Sequence, residues 1–470
     1  MPFILGANSL SAGGYTVDNS LRFNSVSSDY LSKTYGTPTS TQKWTASFWI
    51  KRSELSREQH IFGGTSPSQC YFVSNDTLRF ADTTAGTNYY TTQVFRDTSA
   101  WYHFVIAVDT TLGTAGDRAR IYVNGSEITS FSTETNATQN NNSAYNVAST
   151  LYAIGRYNPS PSGNYFGGYM SEMNFIDGQQ LTPTDFGEFD EDSGIWKPIA
   201  YAGTYGTNGF YLDFEDSGAL GADTSGNGNN FTVNNLTAVD QSTDTPTNNF
   251  ATWNVNLATN STMTMADGNL TGTSGSNYAS GASNSWFSTQ GASQGKWYAE
   301  FLLTYQSDTD AGIVGVGYDL SKHQQGTALS AHSLYNIPEG WGYVGQGNIK
   351  NNAADLFVAS SYAVNDIIGV AMDLDNNKLY FAKNGTWQNS GVPTSGATGT
   401  GAFSLTSGQD YFFGMSDASL ANTFTYKANF GSPAYTISSG NADANGYGNF
   451  EYSVPTGYYS LNTANLAEFG

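Results

Sequence analysis

Acidic residues at alternate positions are the first candidates for chemistry in this sequence. The run Glu188-Phe-Asp-Glu-Asp192 and the pair Asp213 and Glu215 both have this spacing. Alternate residues of a strand face the same side, so two carboxyls could act together on a glycosidic bond when about 5 Å apart. The run lies between Pro183 and Pro198 with glycine on both sides, which indicates a loop. Asp213 and Glu215 are better placed on a strand but have no evident third partner, and we expect solvated or turn-forming acids.

A serine motif and the histidines are the other candidates for catalytic groups. Gly291-Ala-Ser293-Gln-Gly295 satisfies G-x-S-x-G, but that motif acts only between a strand and a helix of an α/β sheet. Here it precedes a strand pattern with no helix behind it, which predicts a flexible turn. None of the histidines has zinc-binding spacing: they are His60, His103, His323 and His332. His103 is expected to make a hydrogen bond beside a buried face, and we predict that the protein is not an enzyme.

A loop rich in Asp, Asn and Gly offers oxygen ligands for calcium. Asp223-Thr-Ser-Gly-Asn-Gly-Asn229 carries such residues at alternate positions, with glycine at the sixth. An EF-hand needs Glu at the twelfth position, which here is Asn234. Two interpretations stay open: a calcium site with Asp223, Asn227 and Asp213 as ligands, or a turn in which Asx side chains bond their own backbone.

Aromatic side chains in loops are the candidates for binding carbohydrate. Sugars stack their apolar faces on aromatic rings, while amides and carboxylates take the hydroxyls. The candidates are Tyr335, Trp341, Tyr343 and Trp387. Trp297 and most other strand aromatics are expected in the core, and Trp341 has the core as its alternative place.

Two similar segments indicate the elements that position these residues. Ile368, Val370 and Met372 alternate with smaller or polar residues, and the second strand of this segment ends at Asn384-Gly385. This is the pattern of two antiparallel strands with one buried face and a tight turn. The segment Trp101–Gly125 repeats the pattern and also ends in Asn-Gly. Two copies of one antiparallel unit predict two domains of related architecture.

The composition favours an all-β fold. The chain has 470 residues, 14% of them aromatic and only 12% charged, with 52 glycines. This is typical of short strands joined by many turns. Residues 184–191 are the only helix candidate. We predict two antiparallel β-sandwich (jelly-roll/concanavalin A-like) domains in tandem, at residues 1–240 and 255–470, with 241–254 as the linker.

Charge and apolar runs exclude several classes of partner. A net charge of −21 argues against binding nucleic acid or anionic lipid, and is expected to keep the protein dispersed. The single cysteine, Cys70, excludes an internal disulfide framework and is expected to be a buried small hydrophobe. Residues 1–7 lack the basic residue of a signal peptide, and no apolar stretch reaches membrane-spanning length. We therefore expect synthesis in a cytosol and no membrane insertion.

The first half of the chain resembles a laminin-G-like, concanavalin A-type sandwich over roughly residues 15–180. The residues that carry the resemblance are Trp44–Arg52, Trp101–Phe104, Ile121–Gly125, Tyr152–Arg156 and Phe166–Glu172. The segments Leu181–Phe189, Tyr211–Asp216, Asp223–Phe231 and Thr245–Trp253 resemble the extension of this domain in tailed bacteriophages. Laminin-G-like domains often hold calcium at the rim, which implies the same for the Asp223 loop.

The second half resembles an SPRY domain, itself a two-sheet sandwich. The matching segments are Lys296–Phe301, Gly315–Tyr318, Gly340–Tyr343, Asp366–Trp387, Tyr411–Gly414 and Asn429–Gly431.

Together the two resemblances imply a non-enzymatic virion surface protein of a tailed phage, part of a tail fibre, tailspike or head fibre, that attaches to host-surface glycan. Such a protein would be made in the host cytoplasm, released by lysis, and would assemble as a homo-oligomer with other virion proteins. Linked copies raise avidity by roughly 10²–10⁴, so weak single sites suffice. Two alternatives stay open: a structural decoration protein that binds other virion proteins, and a glycan depolymerase of the laminarinase type that uses Asp213 and Glu215.

Overall fold

The computed structural model describes residues 14–64, 68–157, 164–257, 263–275, 285–309, 312–324, 333–417 and 422–470. Residues 1–7 and His332 lie outside these ranges. Strands dominate the described residues, which confirms the predicted all-β fold. None of the helices within the described ranges is long and apolar enough to cross a membrane.

The chain divides into two compact units, one formed by Leu10–Asn248 and the other including Asn249–Gly470. The strands of the first unit are β1 (Ser20–Phe23), β2 (Tyr30–Thr34), β3 (Lys43–Arg52), β4 (Gln59–Gly63), β5 (Ser68–Phe72), β6 (Thr77–Asp82), β7 (Thr87–Val94), β8 (Trp101–Asp109), β9 (Ala119–Val123), β10 (Ser126–Glu127), β11 (Phe131–Thr135), β12 (Leu151–Ile154), β13 (Gly168–Asp177), β14 (Gly187–Phe189), β15 (Trp196–Pro198), β16 (Phe210–Leu212), β17 (Thr232–Asn234) and β18 (Gln241–Ser242). Its 3-10 helices are Ala115–Asp117, Pro183–Asp185 and Ala238–Asp240.

Two antiparallel sheets form the first sandwich. Sheet A has the order β10-β9-β8-β3-β13-β1-β18, with β16 also paired to β13, and sheet B has the order β11-β7-β6-β5-β4-β12-β2-β17. Alternate side chains of each strand meet between the sheets: Phe48 and Phe104 of sheet A lie in one buried cluster with Cys70, Phe72 and Phe80 of sheet B. Cys70 is fully buried, as expected for a small hydrophobic residue.

The outer face of sheet A is covered by the segment that follows β13. The Trp196 indole N–H donates to Nδ1 of His103, at 3.0 Å. Lys51 of β3 pairs with Asp244 at 2.7 Å, and both side chains are almost fully buried. His103 therefore makes the hydrogen bond that its position predicted.

The strands of the second unit are β19 (Thr264–Ala266), β20 (Thr271–Thr273), β21 (Ser285–Phe287), β22 (Lys296–Gln306), β23 (Gly312–Gly317), β24 (Gly340–Val344), β25 (Asn348–Asn351), β26 (Ala354–Val358), β27 (Ile367–Asp373), β28 (Lys378–Lys383), β29 (Thr386–Trp387), β30 (Phe403–Ser404), β31 (Phe412–Asp417), β32 (Phe424–Asn429) and β33 (Tyr459–Ser460). The unit also contains 3-10 helices at Lys322–Gln324, Gln388–Ser390 and Pro393–Thr398, and α-helix α1 at Thr463–Phe469. Sheet C (β19-β20-β32-β22-β27-β28-β29) and sheet D (β21-β31-β23-β24-β25-β26) enclose its core.

The two predicted copies of one hairpin unit use the same turn. Asn124 and Asn384 both have positive φ, 47° in each, and each is followed by a glycine with positive φ. The Asn124 side chain accepts the His103 N–H at 2.8 Å, and the Asn384 side chain accepts the Ile367 N–H at 2.8 Å. Asparagine is selected because it tolerates the left-handed conformation and bonds the neighbouring strand.

Two predicted elements differ from the structure, and one element was not predicted. The helix candidate 184–191 is a single 3-10 turn at Pro183–Asp185, which ends at Phe186 and is followed by β14. The predicted linker 241–254 is built into both units, since β18 pairs with β1 and Trp253 is fully buried in the second core. Helix α1 was not predicted; Asn462 caps it by accepting the Asn465 N–H.

Candidate functional site

Trp341 and Tyr343, two of the predicted glycan-binding residues, lie in the core of the second unit. They are 4% and 0% exposed, and the Tyr343 hydroxyl donates to the Ser360 carbonyl oxygen. Positions i and i+2 of β24 share one face, and both side chains belong to the buried core of the second unit. Neither ring can stack on a ligand, so the alternative that the sequence left open for Trp341 applies to both residues.

Tyr335 and Trp387 are half-buried and lie in different places. The Lys350 ammonium lies over the Tyr335 ring, 5.2 Å from its centroid. Trp387 packs beside Tyr298 on the outer side of sheet C, with ring centroids 6.4 Å apart. The four predicted aromatics occupy three separate clusters, so the structure does not bring them together as one site.

The Asp223 loop is held by its own hydrogen bonds. One carboxylate oxygen of Asp223 accepts the backbone N–H groups of Tyr211 and Ser225, at 3.0 and 2.9 Å. The other oxygen accepts the Asn229 N–H at 2.6 Å. The carboxylate charge is therefore satisfied by backbone donors.

The other two predicted calcium ligands are also engaged within the protein. The Asn227 side-chain N–H group donates to the carbonyls of Gly206 and Gly209, and Asp213 accepts the Glu215 N–H at 3.1 Å. Within the described ranges, no group of three or more His, Cys, Asp or Glu side chains could hold a metal ion. These hydrogen bonds occupy the three predicted ligands. They fit the Asx-turn interpretation of the loop and do not fit a calcium site. Asn227 does line an open polar cleft of about 540 Å³, together with Thr39, Thr204, Tyr205 and Ser225.

Glu172 is an acid that sequence reasoning missed. It lies at an irregularity of β13 with φ of 51° and is buried. Its oxygens accept the hydroxyls of Tyr15 and Tyr211, at 2.8 and 2.7 Å. Burial raises the pKa of this carboxyl to about 7, and the nearby charge of Asp213 adds to the rise. Both oxygens are occupied by tyrosines, an arrangement that links Tyr15 and β16 to β13.

The run 188–192 begins in a strand and not in the loop that the sequence indicated. Glu188 is part of β14, and the buried Asp190 accepts from Lys197 at 3.1 Å. The pairing of β14 with β15 fixes these acids beside a lysine.

A continuous row of aromatic and cationic side chains lies on the outer face of sheet B. We call it the tyrosine–arginine band; its members are Tyr30, His60, Tyr71, Arg79, Tyr90, Arg156 and Tyr157. Strand register produces most of the row, because His60 is opposite Tyr71, Tyr71 opposite Arg79, and Arg79 opposite Tyr90. Their neighbours along the strands, such as Phe72 and Phe80, point into the core.

The side chains of the band stack on one another. The rings of His60 and Tyr71 are 4.5 Å apart and inclined by only 15°. The Arg79 guanidinium lies over Tyr71 and over Tyr90, 5.4 and 5.0 Å from the ring centroids. Tyr157 follows on the other side of His60, at 4.8 Å. The stacking is of the cation–π and aromatic kind, which favours arginine over lysine.

The band continues along the same face of sheet B to strands β12 and β2. Arg156 lies just after β12 and stacks on Tyr30 of β2, 3.8 Å from the ring centroid. Strand β12 pairs with both β2 and β4, so these residues lie next to His60. Tyr30, Tyr90, Tyr157 and the two arginines are half-buried, whereas His60 and Tyr71 are almost covered.

Hydrogen bonds hold Arg79 in a single orientation. Its Nε donates to the Asn88 side-chain oxygen at 3.0 Å, and its Nη1 donates to Gln69 and to the Tyr71 hydroxyl, at 3.2 and 2.7 Å. A rigid group loses little conformational freedom on binding. Burial lowers the pKa of His60, so the imidazole is neutral at pH 7 and the arginines carry the positive charge of the band. The band therefore offers fixed hydroxyl and guanidinium donors to a polar ligand.

The sequence carries a weak signal for this band. Tyr71, Arg79 and Tyr90 each alternate with core residues, which places them on outer faces. Their proximity depends on the register between strands, and no spacing along the chain shows it.

The chain matches two family models. Residues 25–185 match the laminin-G-type model described as the concanavalin A-like lectin/glucanases superfamily, and residues 296–410 match the SPRY domain. The chain thus carries a laminin-G-like domain and an SPRY domain, as their sequence resemblances implied. No curated protein matches the chain.

Several solved structures are similar in fold. The SPRY domain of human HERC1 is 15% identical, with 37% of this chain and 96% of that chain covered and a TM-score of 0.29. A putative carbohydrate binding protein from Bacteroides ovatus is 20% identical, with 47% and 59% covered and a TM-score of 0.36. Domain 4 of the arabinanase AbnA from Geobacillus stearothermophilus, in complex with arabinotriose, is 18% identical, with 38% and 82% covered and a TM-score of 0.26. This chain spans little more than half of the length of the Bacteroides protein.

Proposed function

We propose that this chain, in which a laminin-G-like domain is followed by an SPRY domain, is a non-enzymatic virion surface protein that attaches to host-surface glycan. The observation that carries the proposal is the tyrosine–arginine band on an outer sheet face of the lectin-like domain. Its groups are held in place before any ligand arrives, so a sugar would meet donors already oriented toward it.

The virion assignment rests on the resemblance of the segments after residue 180 to the extension of tailed-phage proteins. In this proposal the chain is part of a tail fibre, tailspike or head fibre, is released by lysis, and works as a homo-oligomer beside other virion proteins. Several copies would act together on one host surface, which strengthens a weak single site.

The binding experiment uses the purified full-length protein on a glycan array and in a host-adsorption assay. Replacing Tyr30 and Tyr90 by Ala removes the two half-buried rings at the ends of the band, and we expect binding to weaken about tenfold or more, since one such ring contact is worth on the order of 1 kcal/mol. Tyr305→Ala, at a residue 51% exposed in the second unit, is the matched control. Absence of glycan and host binding would refute the attachment role, and release of reducing ends from host polysaccharide would refute the non-enzymatic role.

The virion location has a separate test. Antibody against the protein should label particles in electron micrographs, on the tail or on the head. Particles without label, from a lysate that contains the protein, would contradict a virion protein.

A second candidate function is a structural decoration protein that binds other virion proteins. The observation in its favour is β26, the last strand of sheet D, where Leu356 and Val358 are 45% and 73% exposed. Apolar side chains on an edge strand favour contact with another chain. Val358→Asp should then abolish particle association and leave glycan binding unchanged, whereas the Tyr30 and Tyr90 replacements should do the opposite if attachment is the function.

A further inference from the structure

We infer that the glycan held at the tyrosine–arginine band is acidic, with carboxylate, sulfate or phosphate groups bound by Arg79 and Arg156. This inference rests on the proposed glycan binding and names the class of glycan. Its starting point is the charge balance of the chain, which has 18 Lys and Arg against 39 Asp and Glu. Because acids are in such excess, we expect most basic side chains to pair with a carboxylate. A basic side chain without one therefore indicates a different partner.

Most basic side chains of the described residues have such a partner. Lys51, Arg52 and Arg120 are examples, each with a carboxylate oxygen within 3.2 Å. Arg79 and Arg156, like Lys33, Arg118 and Lys378, have no carboxylate within ion-pair distance in the parts of the chain that the structure describes, and these two arginines stack on tyrosines of the band. The segments nearest to them in sequence outside those parts, 65–67 and 158–163, contain no acidic residue.

Arg79 is bound only by neutral groups. Its three hydrogen bonds go to two amide oxygens and one tyrosine hydroxyl, all from Nε and Nη1. These bonds fix the plane of the guanidinium, and Nη2 makes none to any described residue. A half-buried, oriented guanidinium with donors to spare is suited to a planar carboxylate or a phosphate-like anion.

Arg156 supplies an independent observation. Its guanidinium lies 3.8 Å from the Tyr30 ring centroid, and its Nε is buried without a hydrogen-bond acceptor among the described residues. A buried donor left unpaired costs on the order of 1–3 kcal/mol, more when it belongs to a charged group. Arg156 as a whole is half-buried, so an anionic group of the ligand could approach the accessible part of its guanidinium and neutralise the charge.

The surrounding charges favour a glycan over other polyanions. Glu58 lies beside the band, where its carboxylate accepts from His60 and Asn164, at 2.9 and 2.8 Å. With this acid and a net charge of −21, a densely charged nucleic acid would be repelled. In a suitable glycan, single anionic groups alternate with neutral, hydroxyl-bearing parts. Such a glycan matches two arginines separated by tyrosines, because the arginines bind the anionic groups and the tyrosines contact the neutral parts.

The test compares oligosaccharides of equal length by calorimetry with the full-length protein. The probes are a uronate oligomer, a sulfated oligomer, a phosphate-bearing oligomer and a neutral glucan, each at low and at physiological salt. We expect at least one acidic probe to bind about tenfold or more tightly than the neutral glucan, with affinity that falls as salt rises. The acidic probes distinguish carboxylate, sulfate and phosphate as the recognised group.

Arg79→Gln and Arg156→Gln should remove this preference, and the corresponding Lys variants should restore only part of it because lysine lacks the planar fork. Arg120→Gln is the matched control, since it changes the same charge on sheet A, where Arg120 pairs with Asp117. Equal binding of neutral and acidic probes, or no loss in the two Gln variants, would overturn the acidic class and leave glycan binding standing. Failure of every probe and of the glycan array would overturn both.

Discussion

Glu172 and Glu300 are buried carboxyls that serve the two units in a similar way. Glu300 of β22 accepts the Tyr298 hydroxyl at 3.0 Å and the N–H groups of Glu451 and Tyr452, at 2.9 and 2.8 Å. It thereby attaches the segment after β32 to sheet C. Burial raises the pKa of each glutamate to about 7, because the charged form loses its hydration.

These pKa values predict a pH-dependent stability. An unfolded glutamate has an ordinary pKa near 4.5 and the folded value is about 7, so the folded state binds more protons between these values. The stabilising effect of Glu300 is complete below about pH 4.5 and is lost as pH rises through about 7, on the order of 1.4 kcal/mol per pKa unit. Glu300→Gln should remove this part of the pH dependence of the free energy of unfolding, as measured by urea unfolding at pH 4.5 and 7.5.

Comparing the pH dependence of stability in the wild type and in Glu300→Gln separates the contribution of Glu300 from those of the other titratable groups. Burial lowers the pKa of His323 to about 4, which acts in the opposite direction between pH 4 and 6.5, but that effect is common to both proteins. Glu468→Gln, at an exposed position of the same unit, should leave the slope unchanged. An unchanged slope in Glu300→Gln would contradict the assignment.

At the scale of elements, an ion pair holds the segment before Asn248 on sheet A. Lys51 of β3 and Asp244 are each only 1% exposed, and Asp244 also accepts the Trp101 indole N–H at 3.1 Å. Removing one partner leaves an uncompensated charge in a buried place, which costs more than the pair contributes.

We therefore expect Asp244→Ala to lower the free energy of unfolding by about 3–5 kcal/mol. The double variant with Lys51→Met should recover much of this loss. Lys43→Ala, which breaks the more exposed pair with Asp109, should cost about 1 kcal/mol or less. Chemical denaturation measures all three, and equal losses in the single and double variants would show that the buried charge is not the cause.

The Asn-Gly turns allow a second prediction for the elements. Asn384→Ala should cost about 1–3 kcal/mol, because it loses the bond to the Ile367 N–H and places a Cβ in the left-handed region. Asn384→Gly keeps the backbone freedom and should cost less. If both variants unfold at the same denaturant concentration, the φ of 47° at this position carries no strain.

At the scale of the whole molecule, each unit has a core of its own. The first is built around residues such as Trp44, Phe48 and Phe104, and the second around Trp253, Trp297 and similar residues. Residues 10–248 and 249–470, expressed separately, should each unfold in one cooperative transition with native near-ultraviolet circular dichroism. A non-cooperative transition in either piece would show that its core is insufficient.

Much of the fold was predictable from local patterns. Alternation of large apolar with smaller or polar residues identified β8, β9, β27 and β28, and Asn-Gly marked the turn after β9 and after β28. The candidate sites were harder to predict. Trp and Tyr are residue types that often bind carbohydrate, and only the 4% and 0% exposure of Trp341 and Tyr343 shows that these two belong to the core.

The sequence by itself determined the all-β class, the two sandwich domains and the kinds of side chain present, because these follow from strand periodicity, turn residues and composition. Tertiary structure alone decided which side chains meet. His60, Tyr71, Arg79 and Tyr90 belong to four strands and become neighbours only through the register of sheet B. The physical reason is that backbone hydrogen bonding between strands sets this register, and packing of the whole core selects it.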